Sequence, residues 1–397
     1  MSKIVSIIVP VFNVEKHIKK SIDSILNQTI YTEDVEVILV DDCSTDNSSL
    51  IIEEYASKYN NFKAIHLDKN SGAAGKPRNV GLNIASSDFV MFLDSDDCLV
   101  ENALEVLLNK IKQDEELHIV LGGYVNIHGE KKETVLPFRG NEDIYFEDTL
   151  NALDLVEINP AIASKIFRKD FLIENNITFP EGIPGQDLVF FLNSFFHSNK
   201  VLSLSNFIVY KRFLRSEGSD KSMSFNLNYN YIVGLIKAYT LTLIVFKENN
   251  VNINLAKLIL IHHLRFLTNQ LLKSQLTKEE LSRLCDSDEF YDFINNDFFN
   301  VATEFRLIFD NMKNDNFDNI NLIDYIKYNI EKEIRYQYEN IRLLFDNIKR
   351  DNKKLLSLLH IKDADNIYLK NKNKELYLKL KEVHNSRLWK LKNIKIK

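Results

Sequence analysis

The chain has 397 residues and a formal net charge of −6, which argues against a general nucleic-acid binder. Hydrophobic residues make up 45% and charged residues 27%, an ordinary globular balance with room for two or three domains. The three cysteines, Cys43, Cys98 and Cys285, show no metal or redox spacing and suit a reducing cytoplasm. A strand pattern begins almost at once, so no signal peptide is expected ahead of the fold.

Taken in chain order, strands are expected at Val5–Pro10, breaking at Pro10, then at Val35–Asp41, Phe62–His66, Phe89–Leu93 and His118–Tyr124. Helices are expected between them at Val14–Asn27, Ser48–Tyr59, Arg78–Ala85 and Glu101–Lys112. That alternation implies a mostly parallel sheet with helices on both faces. A less regular stretch follows, with a late strand near Val201–Tyr210. Helical spacing dominates from residue 226 to about 330, with Leu255, Leu258, Leu260, Ile261 and Leu264 among polar residues. Tyr231–Phe246 is apolar but short for a membrane span and contains Lys237, so it is read as a buried helix. His262 and His263 lack a partner at metal-site spacing and are read as structural.

The last segment differs. Ile334, Tyr338, Ile341, Phe345, Ile348, Leu355 and Leu359 keep a three-four spacing, with Asn352 on the same stripe. That is a heptad seam with one polar insert, and it predicts a homo-oligomer. From Lys370 the chain is basic, with Leu388, Trp389, Leu391, Ile394 and Ile396 interleaved. It reads either as a membrane-surface contact or as a solvated helix end. The predicted division is therefore residues 1–225, 226–330 and 331–397.

Candidate chemistry sits at strand ends. Phe89–Asp97 reads FVMFLDSDD, an apolar run that climbs into Asp94, Asp96 and Asp97. Ligands of open α/β sheets sit beyond the carboxyl ends of such strands. Carboxylates gathered there suit a hard divalent cation with a phosphate-bearing substrate, or a solvated turn that caps the next helix. A second strand ends in Asp41-Asp42. Asn70–Arg78 reads NSGAAGKPR and is no Walker A loop: Gly72 stands only three residues before Gly75, and Pro77 follows Lys76. It still leads into a helix N-terminus, which favours anions.

The stretches VSIIVPVFN, VEVILVDDCSTDNS, NSGAAGKPRNVGL, FVMFLDSDD and SKIFRKDFLIENNITFPEGIPGQDLVF, in this order, resemble the inverting family 2 glycosyltransferases of GT-A fold. The resemblance covers roughly residues 1–225, and the nearest kin it suggests are bacterial wall teichoic acid and capsule enzymes. It implies a UDP-sugar donor, a glycan or polymer acceptor, and Mn²⁺ or Mg²⁺. By the same resemblance Asp42 accepts the uracil imide N–H, with Pro10 and Phe12 flanking the ring. Asn70 and Arg78, with Lys76 nearby, belong to the loop over base and ribose. Asp94 holds the ribose or a metal-bound water, and Asp96 binds the cation. Asp97 is expected to cap the helix near Glu101. Asp187 is the expected general base. Family members normally show Glu-Asp here; this chain has Gln186-Asp187, so the neighbour that touches substrate hydroxyls has lost its charge. Arg215, Lys221 and Ser222 resemble donors of a loop closing over the diphosphate. Asp42 and Asp187 could each instead cap a turn or helix start. Two rivals are a nucleotidyltransferase, which would want a basic Gly-rich loop where V-F-N-V-E-K stands, and an inactive scaffold assembled through the heptads.

Overall fold

The computed structural model describes residues 3–294, apart from 32, 138–141, 153, 154, 156, 157, 216–226 and 275. The chain divides into two compact units, residues 1–318 and 319–397, and every described residue lies in the first. The heptad seam and the basic tail lie outside the described residues.

Strands run β1 Val5–Val11, β2 Val35–Asp41, β3 Phe62–His66, β4 Phe89–Phe92, β5 Cys98–Leu99, β6 Leu117–His128, β7 Lys131–Val135, β8 Ile144–Phe146, β9 Lys165–Arg168 and β10 Lys200–Phe213. Helices run α1 Ile18–Leu26, α2 Ser48–Lys58, α3 Gly75–Ile84, α4 Ala103–Ile111, α5 Lys169–Glu174, α6 Gln186–His197, α7 Tyr229–Glu248, α8 Ile253–Lys273, α9 Lys278–Cys285 and α10 Asp288–Ile294. Among the described residues the strands form one sheet in the order β3-β2-β1-β4-β9-β6-β10-β5, with β7 on β6 and β8 on β10. The β3-β2-β1-β4 half is parallel, while β9 is antiparallel to both its neighbours.

β1 and β2 are buried at every position, as expected for parallel strands covered on both faces. Alternate residues of β1 serve the two layers. Val5, Ile7 and Val9 join Ile18, Ile22 and Ile25 of α1 and Leu104 and Leu107 of α4 in one core. Ile8 faces the other way, against Gly81 of α3. The expected GT-A layout is the observed one.

β1 does not break at Pro10. Leu93 N donates to Ile8 O at 3.0 Å, so Ile8, and with it Pro10, points its backbone toward β4. β4 pairs only as far as Ile8, so the missing N–H of Pro10 removes no ladder bond. α3 starts at Gly75, earlier than expected, because Pro77 falls in the first turn, where an N–H has no helical partner. β5, β7, β8 and β9 were not anticipated.

α7 runs for 20 residues, longer than its apolar run suggested. By length and composition alone it could cross a membrane, but 56% of that stretch is buried in the protein. It packs on α6, α8 and α10, and Lys237 meets Glu289 of α10 at 2.9 Å. The ring of His263 lies 6.3 Å from that of Tyr239.

Candidate active site

The sheet order places the topological switch between β1 and β4, where the chain passes from building outward on one side of β1 to the other. Open α/β sheets bind ligands beyond the carboxyl ends at such a point. Pro10 is buried at the end of β1, and Phe12 beyond it is 42% exposed. Asn13 and Cys43, just past β1 and β2, hold φ of 49° and 64°, backbone strain of the kind that collects at functional sites.

Asp41 and Asp42 divide their work. Asp41 accepts from Ser44 N at 3.1 Å and Ser49 Oγ at 2.8 Å, and its Oδ2 lies 3.1 Å from His66 Nδ1. Burial opposes its charge, but these bonds outweigh burial and hold it below the ordinary range. The turn-capping role open to Asp42 therefore falls to Asp41. Asp42 is buried and accepts from the 70–71 turn instead: Ser71 N and Ser71 Oγ at 2.9 Å each, Asn70 Nδ2 at 3.3 Å. Burial pushes its carboxyl up despite those bonds. Asn70 also donates to the Asp42 carbonyl at 3.0 Å.

The acids after β4 are matched by arginines. Arg78, on the first turn of α3, is buried and reaches two carboxylates. Its Nη1 lies 2.5 Å from Asp187 Oδ1 and its Nη2 lies 2.6 Å from Asp94 Oδ1. Arg215 Nη2 lies 2.6 Å from Asp96 Oδ2. Burial raises the carboxyls of Asp96 and Asp187; Asp94 adds to both, while Arg215 and Arg78 oppose the rise at their respective partners. Asp97 does not cap the following helix, because β5 intervenes and Asn102 stands at the start of α4. It is buried instead, accepts from Phe213 N at 2.9 Å, and so ties β10 to the acidic turn.

Asp187 is placed by a close contact between α3 and the loop before α6. Asn79 donates to Phe179 O at 2.9 Å and accepts from Phe179 N at 2.8 Å. Phe179 stacks on Phe190 at 3.7 Å, and the Arg78 guanidinium lies 5.1 Å from the Phe179 ring centre. A Cβ on Gly75 would lie 2.2 Å from Pro180 O, so only glycine fits there. Gly185 precedes α6 at φ 75°, and no side chain caps that helix. The Asp187 carboxylate turns to Arg78, leaving its side chain 32% exposed. Gln186 is buried, and its Oε1 has no hydrogen-bond partner among the described residues. Lys76 pairs with Glu181 at 3.3 Å. Lys221 and Ser222 lie outside the described residues.

Two cations here escaped sequence reading. Arg212 acts electrostatically on Asp94, Asp97 and Asp187 and bonds the Tyr124 hydroxyl. Its alternation with Tyr210 on β10 was the available signal. Lys165 is fully buried, donates to Asn159 O at 2.9 Å and Ala161 O at 2.6 Å, and lies 4.4 Å from the Phe191 ring centre. Burial pulls its pKa down to about 7, with Asp187 opposing.

Residues 6–174 match the model of glycosyl transferase family 2. This domain belongs to that family. The chain is 34% identical over 244 residues to a poly(ribitol-phosphate) beta-glucosyltransferase of Bacillus spizizenii, covering 59% of this chain and 37% of that protein. It is 33% identical over 208 residues to the poly(ribitol-phosphate) beta-N-acetylglucosaminyltransferase TarS of Staphylococcus aureus, covering 51% and 34%. It thus spans little more than a third of either relative. Its fold is similar to that of S. aureus TarS 1–349 crystallised with UDP-GlcNAc, with a TM-score of 0.61, 24% identity, and coverage of 85% of this chain and 92% of that one.

Proposed function

We propose that this chain is an inverting glycosyltransferase that moves a sugar from a UDP-sugar to a hydroxyl of a cell-surface polysaccharide, teichoic acid or lipid-linked glycan. One observation carries the reading: Arg78 joins Asp94, beyond β4, to Asp187, at the start of α6, beside the switch point of the sheet. A donor-side acid and a candidate base thus share one counter-ion.

In this reading Asp187 is the general base. The acceptor hydroxyl gives its proton to Asp187 while its oxygen bonds to the anomeric carbon. The bond to the diphosphate oxygen breaks on the opposite side, UDP leaves, and the configuration inverts without a covalent intermediate. Asp42 receives the uracil imide N–H, with Pro10 and Phe12 beside the ring. The bonds from Asn70 and Ser71 support this by fixing the orientation of Asp42. Gln186, whose buried oxygen has no partner among the described residues, is the proposed contact to a substrate hydroxyl.

Among the described residues no cluster of three metal-ligating side chains occurs. Asp94 and Asp96 offer oxygen alone, and Mg²⁺-type sites commonly use one or two carboxylates completed by substrate phosphates and water, so the pair fits Mn²⁺ or Mg²⁺. Such a cation, when bound, supplies positive charge for the departing diphosphate. Arg215, with Lys221 and Ser222 after it, is the proposed protein donor to the same diphosphate.

The names of the two relatives favour a poly(ribitol-phosphate)-like teichoic acid as acceptor. Work on a lipid-linked chain places the enzyme in the cytoplasm at the inner membrane face. Residues 331–397 would add self-association through the heptads and a basic membrane contact, and light scattering after their deletion tests the assembly role.

A donor screen by thermal shift tests the nucleotide. A UDP-sugar with Mn²⁺ should raise the melting temperature, since a ligand that binds the folded state stabilises it. Equal shifts with GDP- or ADP-sugars, or none with any UDP-sugar, would count against the reading.

A further inference from the structure

We infer that Arg78 is a positioning residue for the base: its guanidinium holds the carboxylate of Asp187 in the orientation that receives the acceptor proton. This rests on the reading of Asp187 as the base, and it reassigns Arg78 from nucleotide contact.

The geometry is specific. Both terminal nitrogens of the fork are engaged, Nη1 with Asp187 and Nη2 with Asp94. An arginine is always charged and planar, so its two ends keep a fixed separation. The distance between the two carboxylates is thereby set by one rigid group. Arg78 is itself anchored. It is buried, its backbone N donates to Ala74 O at 3.1 Å, and its guanidinium lies near the face of Phe179. Its neighbour Asn79 binds both backbone groups of Phe179, in the loop that leads to α6. The helix bearing the arginine and the loop preceding the base are thus one unit. Asp187 has one oxygen on this support, yet its side chain remains 32% exposed. A base needs that combination of fixed direction and an open approach.

Lysine cannot reproduce the support. Its ammonium is a point charge on a flexible stem and would serve one carboxylate at a time. Arg78→Lys therefore keeps the charge and removes the orientation.

The test is a double-variant cycle on the full chain, with Arg78→Lys, Asp187→Asn and the two combined. The readouts are kcat for UDP release at saturating donor and the affinity for UDP by calorimetry. Arg78→Lys should lower kcat by about tenfold or more and leave UDP affinity within about threefold, because the loss is in orientation rather than in donor binding. In the Asp187→Asn background it should cost no more than about twofold, since residues acting through one group are not additive. A full, multiplicative loss in that background overturns the inference, as does a fall in UDP affinity that accounts for the whole effect. Wild-type turnover in Asp187→Asn alone would instead show that the base itself was misassigned. If Arg78→Lys fails to fold by circular dichroism, Arg78→Gln, which keeps a single amide donor, repeats the cycle with the same criteria.

Discussion

Arg215 Nη2 meets Asp96 Oδ2 at 2.6 Å. A cation two residues beyond β10 thus sits on the carboxylate proposed to bind metal. Burial and Asp94 both push Asp96 toward its neutral form, and Arg215 opposes them. The same acid therefore has a charge partner in the protein and a hard-cation chemistry for substrate.

Replacing Asp96 with Asn should abolish UDP-sugar turnover and weaken Mn²⁺-dependent UDP binding while the melting temperature stays close to wild type. Calorimetric Mn²⁺ titration with UDP checks it. Undiminished activity in Asp96→Asn, or in EDTA, removes the metal from the mechanism.

Asp187→Asn should lower kcat by about 10² to 10⁴, the usual range for a lost general base, with little change in UDP-sugar affinity. The pH profile carries a second check. The base works deprotonated, and burial raises the Asp187 carboxyl above its ordinary value. Activity should therefore fall with acidification at a pH above the usual carboxylate range. A limb near pH 4, the ordinary value for Asp, would contradict the environment described for this residue.

Lys165 gives a stability prediction. Its pKa is about 7 in the folded chain and about 10.4 when unfolded. Between those values the unfolded chain holds a proton that the folded chain lacks, so stability rises with pH across that window. The slope reaches at most about 1.4 kcal/mol per pH unit for one group. Urea denaturation from pH 7 to 9.5 should show a positive slope in wild type that is smaller in Lys165→Met. Parallel slopes would mean that Lys165 stays charged throughout.

Gly75→Ala should destabilise the fold by about 1–3 kcal/mol, the usual cost of overpacking. The added methyl would meet Pro180 O at 2.2 Å and Gln186 Oε1 at 2.3 Å. Because the strain falls on the loop that leads to Asp187, kcat should drop as well. Wild-type stability and turnover together would show that α3 and this loop can separate freely.

Much of this was legible in the amino-acid order. β1, β2 and β4 announce themselves because both faces are covered and their residues are mostly apolar, with Ser6 in β1 and Glu36 in β2 as the polar interruptions before the ends. Asp42, Asp94, Asp96 and Asp187 stood out as acids at strand or helix ends. β9 stayed hidden because Lys165 and Arg168 bracket only two apolar residues. The pairing of Arg78 with Asp187 joins positions 109 residues apart, and no local periodicity records such a contact. The role of Asp97 was misread because a two-residue strand separates it from the helix it was expected to cap. Lys165 gave no warning because a lone lysine beside an apolar pair usually marks a surface edge.

The most direct measurement is acceptor-dependent release of UDP by the full chain, supplied with UDP-sugars, Mn²⁺ and a poly(ribitol-phosphate) acceptor. UDP release should require both substrates, stop in EDTA, and fall by about 10² or more in Asp187→Asn. Release of UDP at the same rate by Asp187→Asn, or no release with any UDP-sugar, would contradict it.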